Sequence, residues 1–174
     1  MRKYFLIFIL AIVLPFYSNA QSVFDKYDNQ ETVSSVVVNK KMFELMSKVK
    51  MESKEDVAYL NLIKKLDNLR VYKTINPKTT AEMRTTVEKY LAEAKLEELM
   101  RSNENGKESK IYVKSIPGTN KVSELLMFIE GTGVKGNETV LMSLTGDFSI
   151  NEISLLTKRM NLPGSEVLNS AAKK

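Results

Sequence analysis

The sequence predicts an α+β domain, a mainly antiparallel sheet of about five strands with roughly three to four helices packed on it, in the order βααβαβββα. Three observations carry this. Stretches rich in β-branched residues alternate with stretches whose apolar residues recur at helical spacing. The later strand-like runs follow one another through short, turn-rich connections that leave no room for crossover helices. The chain of 174 residues shows no internal repeat, and its length suits one domain with its own core. The expected organisation is a leader over residues 1–20, a single domain over 21–161 and a polar C-terminal tail over 162–174.

The leader has three parts. Arg2-Lys3 is a short basic start, Tyr4 to Leu14 is an apolar run, and Ser18-Asn19-Ala20 supplies the small residues that a signal peptidase grips. Cleavage after Ala20 would make Gln21 the new N-terminus. The run is interrupted by Pro15 and is shorter than the roughly 20 residues of a spanning helix. The expectation is a soluble exported protein, periplasmic or extracellular, with no transmembrane segment in the mature chain.

Beyond the leader, Phe24-Asp25-Lys26-Tyr27 reads as one helical turn packed against the body. Val33 and Val36 to Val38 form a first strand, ended by Asn39, a helix-capping residue for apolar Met42, Phe43, Leu45, Met46 and Val49. Ser53 and Asp56 open a second helix carrying Tyr59, Leu62, Ile63 and Leu66. Leu69 to Ile75 is a second strand, stopped by Asn76-Pro77. Thr79 and Glu82 form a T-x-x-E box for a long helix over 80–102, with Met83, Val87, Tyr90, Leu91 and Ala94 on one stripe. Leu96, Leu99 and Met100 fall on the opposite side, so these last turns either lie between two layers of the same domain, the commoner arrangement, or present a candidate interaction surface.

Asn105-Gly106 then marks a turn, followed by strands over 110–116, 121–130 and 138–145, the first two joined as a hairpin through Pro117-Gly118-Thr119-Asn120. Leu125 to Ile129 is apolar at every position and so predicts a strand covered on both faces. Ser149 and Glu152 make a capping box, and Phe148 with Ile153 a hydrophobic staple, for a final helix over 150–161 that Pro163-Gly164 ends.

The chain contains no His, no Cys and no Trp. That removes Ser-His-Asp and Cys-His catalysis, disulfides, and imidazole or thiolate metal sites. Gly131-Thr132-Gly133-Val134-Lys135-Gly136 spells G-x-G-x-x-G, but a strand pattern follows it where dinucleotide binding needs a helix, so it reads as a hairpin loop. Ser47 to Lys50 spells S-x-x-K without its companion motifs. Asp25, Asp28 and Glu31 read as an exposed acidic turn and not a calcium loop. Lys40-Lys41 and Lys64-Lys65 are interleaved with acids, so no nucleic-acid partner is expected. The methionines lie on apolar stripes, which makes them core and not a metal trap. No cofactor and no metal are expected. The reading favoured is a non-catalytic domain that binds an envelope protein or small ligand. The alternative is a carboxylate-dependent hydrolase of envelope polysaccharide, using Glu130, Glu138 and Asp147 near strand ends.

Several segments together carry a family resemblance. Phe24-Asp25-Lys26-Tyr27, Ser35-Val36-Val37-Val38 running into Lys41-Met42-Phe43, the Leu99-Met100-Arg101 helix end, Ile111-Tyr112-Val113-Lys114 and Leu144-Thr145-Gly146-Asp147-Phe148 resemble the domain-of-unknown-function 4252 family, small exported proteins of diderm bacteria. The resemblance spans about residues 24–160 and implies an envelope location and a single α+β domain. It transfers no catalytic residue. Several relatives carry a lipoprotein cysteine that this chain lacks, so tethering by lipid does not carry over.

Overall fold

Leu125, Leu126, Met127, Phe128 and Ile129 are all buried, so the strand that holds them is covered on both faces, as its unbroken apolar run predicts. The computed structural model describes residues 23–49, 53–104, 106–131 and 137–171. The leader with its Ala20–Gln21 junction, and Thr132 to Gly136 of the glycine motif, lie outside the described residues.

After a 3-10 turn at Asp25–Tyr27, the elements in chain order are β1 (Ser34–Asn39), α1 (Lys40–Met46), α2 (Lys54–Ile63), β2 (Leu66–Thr74), α3 (Pro77–Ala94), β3 (Glu97–Glu104), β4 (Lys107–Ser115), β5 (Val122–Gly131), β6 (Thr139–Phe148), α4 (Ile150–Met160) and α5 (Ser165–Ala171). The strands form one six-stranded sheet ordered β1-β2-β6-β5-β4-β3, every neighbouring pair antiparallel. The α+β class and the antiparallel sheet are as expected, with one strand more than the sequence predicts and a helix after α4.

Each face of the sheet has its own apolar cluster. On one, Leu69, Val71, Ile111, Leu125, Met127, Met142 and Leu144 meet Phe43 of α1, Leu62 and Ile63 of α2, Ile153 and Leu156 of α4, and Leu168 of α5. On the other, Tyr72, Leu126, Phe128 and Leu141 meet Met83, Val87 and Tyr90 of α3 together with Phe24 and Tyr27. Helices therefore cover both sides, four on one and a single long one plus the N-terminal turn on the other.

Local signals place most element starts. The Asn39 side chain accepts from the Met42 amide at 3.0 Å and Ser53 from the Asp56 amide at 3.1 Å. Ser149 and Glu152 form the expected capping box, the Ser149 amide donating to the Glu152 carboxylate at 2.9 Å, with Phe148 and Ile153 both buried beside it. The turn at 117–120 closes the β4–β5 hairpin, and Gly118 takes φ 75°. Gly146 meets a stricter demand at the β2–β6 bulge. Its φ is 152°, and a Cβ there would fall on the Lys65 carbonyl oxygen.

Three expectations are corrected. The long helix starts earlier and stops sooner: Asn76 caps it by accepting from the Lys78 and Thr79 amides, Pro77 occupies its first turn, and Lys95 ends it at φ 55°. The Thr79–Glu82 box is therefore not its start, and residues 97–104 are strand β3 and not helix. Leu66 begins β2 and does not end α2. Residues 162–171 are no polar tail: Leu162 and Leu168 are buried, and α5 packs on α4. The apolar residues were too few there for a period to stand out.

If α5 belongs to the core, Leu168→Ala removes a fully enclosed side chain and should cost about 2–5 kcal/mol in chemical denaturation. A change under roughly 0.5 kcal/mol, the behaviour of a surface site, would return the segment to a tail.

Candidate functional site

The sheet has two edges, and they differ in how they meet solvent. β3 carries Glu97, Glu98, Arg101 and Glu104, and its pairing with β4 is broken by a bulge between Glu98 and Met100. Charge and bulging are the usual guards of an exposed edge. β1, Ser34-Ser35-Val36-Val37-Val38-Asn39, has no charged residue, no proline and no irregularity in its pairing with β2. Val38 turns inward, while Val36 and Val37 are each about half exposed on opposite faces.

Exposed apolar residues are found on the neighbouring helices as well. Asn39 ends β1 and caps α1 at once, so the helix starts directly under the edge and packs against β1 and β2. Phe43 points into the core, whereas Met42, Leu45 and Val49 recur at helical spacing on the outer side and stay about half exposed, with Val57 of α2 beside them in kind. The expected helix thus exists, but only part of its apolar arc is buried.

Leu96, Leu99 and Met100 do not form one face. Leu96 packs on the Tyr90 side of the sheet and Met100 on the Leu125 side, because the β3 bulge inserts one extra residue and reverses which face follows. Leu99 is that extra residue, facing solvent at 40% exposure. Their departure from the helical stripe was the signal of a change of period from 3.6 to 2.

The carboxylates named for hydrolysis are each held by a different cation. Glu130 pairs with Arg84 of α3, Glu138 with Lys73 at 2.8 Å, and Asp147 with Lys121 at 3.1 Å. Glu138 and Asp147 flank opposite ends of β6, about 30 Å apart at the rise of a strand. Ser47 donates its hydroxyl to the Glu44 carbonyl oxygen at 2.8 Å. Among the described residues, no group of three or more acidic side chains could hold a metal ion. A surface depression of about 520 Å³ between α2, α4 and α5 is lined by Glu55, Asn151, Ser154 and Lys158, and Thr157 in its wall already bonds back to Ile153.

Two polar clusters lie under the N-terminal turn and α3. Arg70 reaches Asp25 at 2.7 Å and Asp28 at 3.1 Å, and the Tyr72 hydroxyl donates to Asp28 at 2.6 Å. Asp25, exposed as expected, and the half-buried Asp28 together form a clasp that ties the turn to β2. Burial raises the Tyr72 hydroxyl far above the usual tyrosine range, and its bond to Asp28 adds to this. The only buried carboxyl in the described core is Glu124 on β5, which accepts from the Tyr90 hydroxyl at 2.6 Å. Burial raises it above the ordinary carboxylate range, and the Tyr90 bond only partly opposes this. Each cluster ties one element to another, Arg70 the N-terminal turn to β2 and Glu124 β5 to α3, so both read as fold-stabilising.

Glu124 has a signed consequence. With its folded pKa above the unfolded one, the native state holds the extra proton between the two, and stability falls as pH rises through that window. Glu124→Gln should therefore melt higher than the parent at pH 7 and lose that advantage below about pH 4, where both carry a neutral group. An advantage constant across that range would show that the Glu124 charge has no cost.

Neither a curated protein nor a solved structure matches the chain. One family profile does, over residues 27–156, a span that holds all six strands, α1 to α3 and the start of α4. By that match the chain belongs to the family described as Domain of unknown function (DUF4252).

Proposed function

We propose that this protein is an exported bacterial envelope protein that works as a non-catalytic binding domain, accepting a protein strand at the β1 edge and covering the outer side of α1. One observation carries the reading: an edge strand without charge, proline or bulge runs straight into a helix whose outer apolar residues are uncovered. The composition agrees, since the chain lacks the His and Cys on which most nucleophilic and metal-dependent catalysis relies. Each of the strand-end acids is matched to its own cation, Glu130 to Arg84, Glu138 to Lys73 and Asp147 to Lys121. Export rests on the basic, apolar and small-residue parts of the leader.

Two measurements test this. Intact mass of the protein recovered outside the cytoplasm should correspond to a chain starting at Gln21; retention of Met1 or Lys3 would remove the cleaved leader. A photo-crosslinking residue placed at Leu45 should give one discrete protein adduct in cells, and the same probe at Leu99 on the guarded edge should give none. No adduct at Leu45, or equal adducts at both positions, would remove the binding edge.

A further inference from the structure

Resting on that reading of the β1–α1 edge, we propose that the strand it accepts is β1 of a second copy of this chain, antiparallel and centred on Val36, so that two six-stranded sheets become one. The charge order around β1 supports a self-pairing of this direction. Glu31 lies before the strand, Lys40 and Lys41 lie after it, and nothing from Thr32 to Asn39 is charged. Glu31 and Lys41 are equally far from Val36 in sequence. Glu31 lies in the turn before β1 and Lys41 in the first turn of α1, both off the ladder itself, and an antiparallel pair centred there lays the acidic approach to each strand toward the basic exit of the other, whereas a parallel pair would set lysines against lysines. Glu31 is exposed and makes no ion pair among the described residues. Lys41 is engaged only by Glu44, one turn along its own helix at 3.3 Å, an exposed contact of small value.

The geometry of the edge agrees with the charges. Antiparallel strands are related by a two-fold axis perpendicular to the sheet, so the face that carries α1 in one copy continues as the face that carries α1 in the other. Val36 shares its face with Val38 and Val71, the side on which α1 packs. Centring the axis on Val36 therefore sets the two Val36 side chains against each other on that face and brings both α1 helices to the same seam. Met42 and Leu45 of α1 are left half exposed in one copy and are available to such a seam. The Val37 side chains likewise share the opposite face, each across from Ser35 of its partner strand. The β3 edge offers no such match, since its bulge and its charges disrupt a regular ladder.

The test uses the protein recovered in exported form. Sedimentation from about 1 to 100 μM, a range that brackets a moderate dimer, should show a concentration-dependent dimer. Val36→Lys should weaken it at least tenfold while leaving the thermal melt unchanged at concentrations where the parent is monomeric. Because the chain has no cysteine, Val36→Cys places a lone thiol at the axis. Opposed Cβ atoms are about 4.5–5.5 Å apart in such a pair, near enough for mild oxidation to join them, and the expected product is a covalent dimer that Leu99→Cys does not give. A monomer at every concentration, or a dimer that neither Val36→Lys disrupts nor Val36→Cys traps, overturns the self-pairing. If the protein is monomeric while the Leu45 probe crosslinks to a different protein, the binding edge stands and self-pairing falls. A monomer with no Leu45 adduct removes both.

Discussion

The structure depends on a sheet that has to be covered twice. Leu125 to Ile129 on β5 and Val140 to Leu144 on β6 bury consecutive residues, so their side chains leave the sheet on both sides. A strand of that kind cannot sit at an edge or under one layer of helices. It forces β5 and β6 to the middle and requires a separate apolar lid on each face. Four helices close one side, while α3 closes the other with help from the N-terminal turn, whose Phe24 and Tyr27 rings meet Tyr90 and Tyr72 edge-on. The Arg70 clasp holds that turn in place through two carboxylates and so completes the second lid.

Central burial leaves the cost of solvent exposure to the edge strands, and the two edges meet it differently. β3 is charged and bulged, and its extra residue Leu99 is the one turned outward. β1 is regular and uncharged, backed by a helix that buries Phe43 but leaves Met42 and Leu45 half uncovered. Among the described residues one edge of the sheet is thus guarded by charge and a bulge, and the other carries neither.

Legibility in the sequence followed the range of the forces involved. The caps at Asn39, Ser53 and Ser149 were readable because donor and acceptor lie within three residues of one another. The two-sided burial of β5 was readable because no other arrangement hides five consecutive apolar side chains on a strand. The end of α3 was not: residues 96–104 contain good helix formers such as Glu, Leu, Met and Arg, and only pairing with β4 turns them into a strand. The clasp was equally hidden, since Asp25 and Asp28 meet Arg70 across more than forty residues. Of the site, the apolar content of β1 and α1 was visible, but their exposure was not, because it depends on which strand takes the edge.

By itself the sequence determined the fold class, most helix starts, the hairpin at 117–120 and the chemistries that lack of His and Cys excludes, all of which follow from composition or from contacts a few residues long. Tertiary structure alone decided the sixth strand, the place of α5 in the core, the pairing of Arg70 with Asp25 and Asp28, and the choice of β1 as the open edge. Those are outcomes of strand order and of burial between distant segments, and a short stretch of chain carries no information about what will lie across from it.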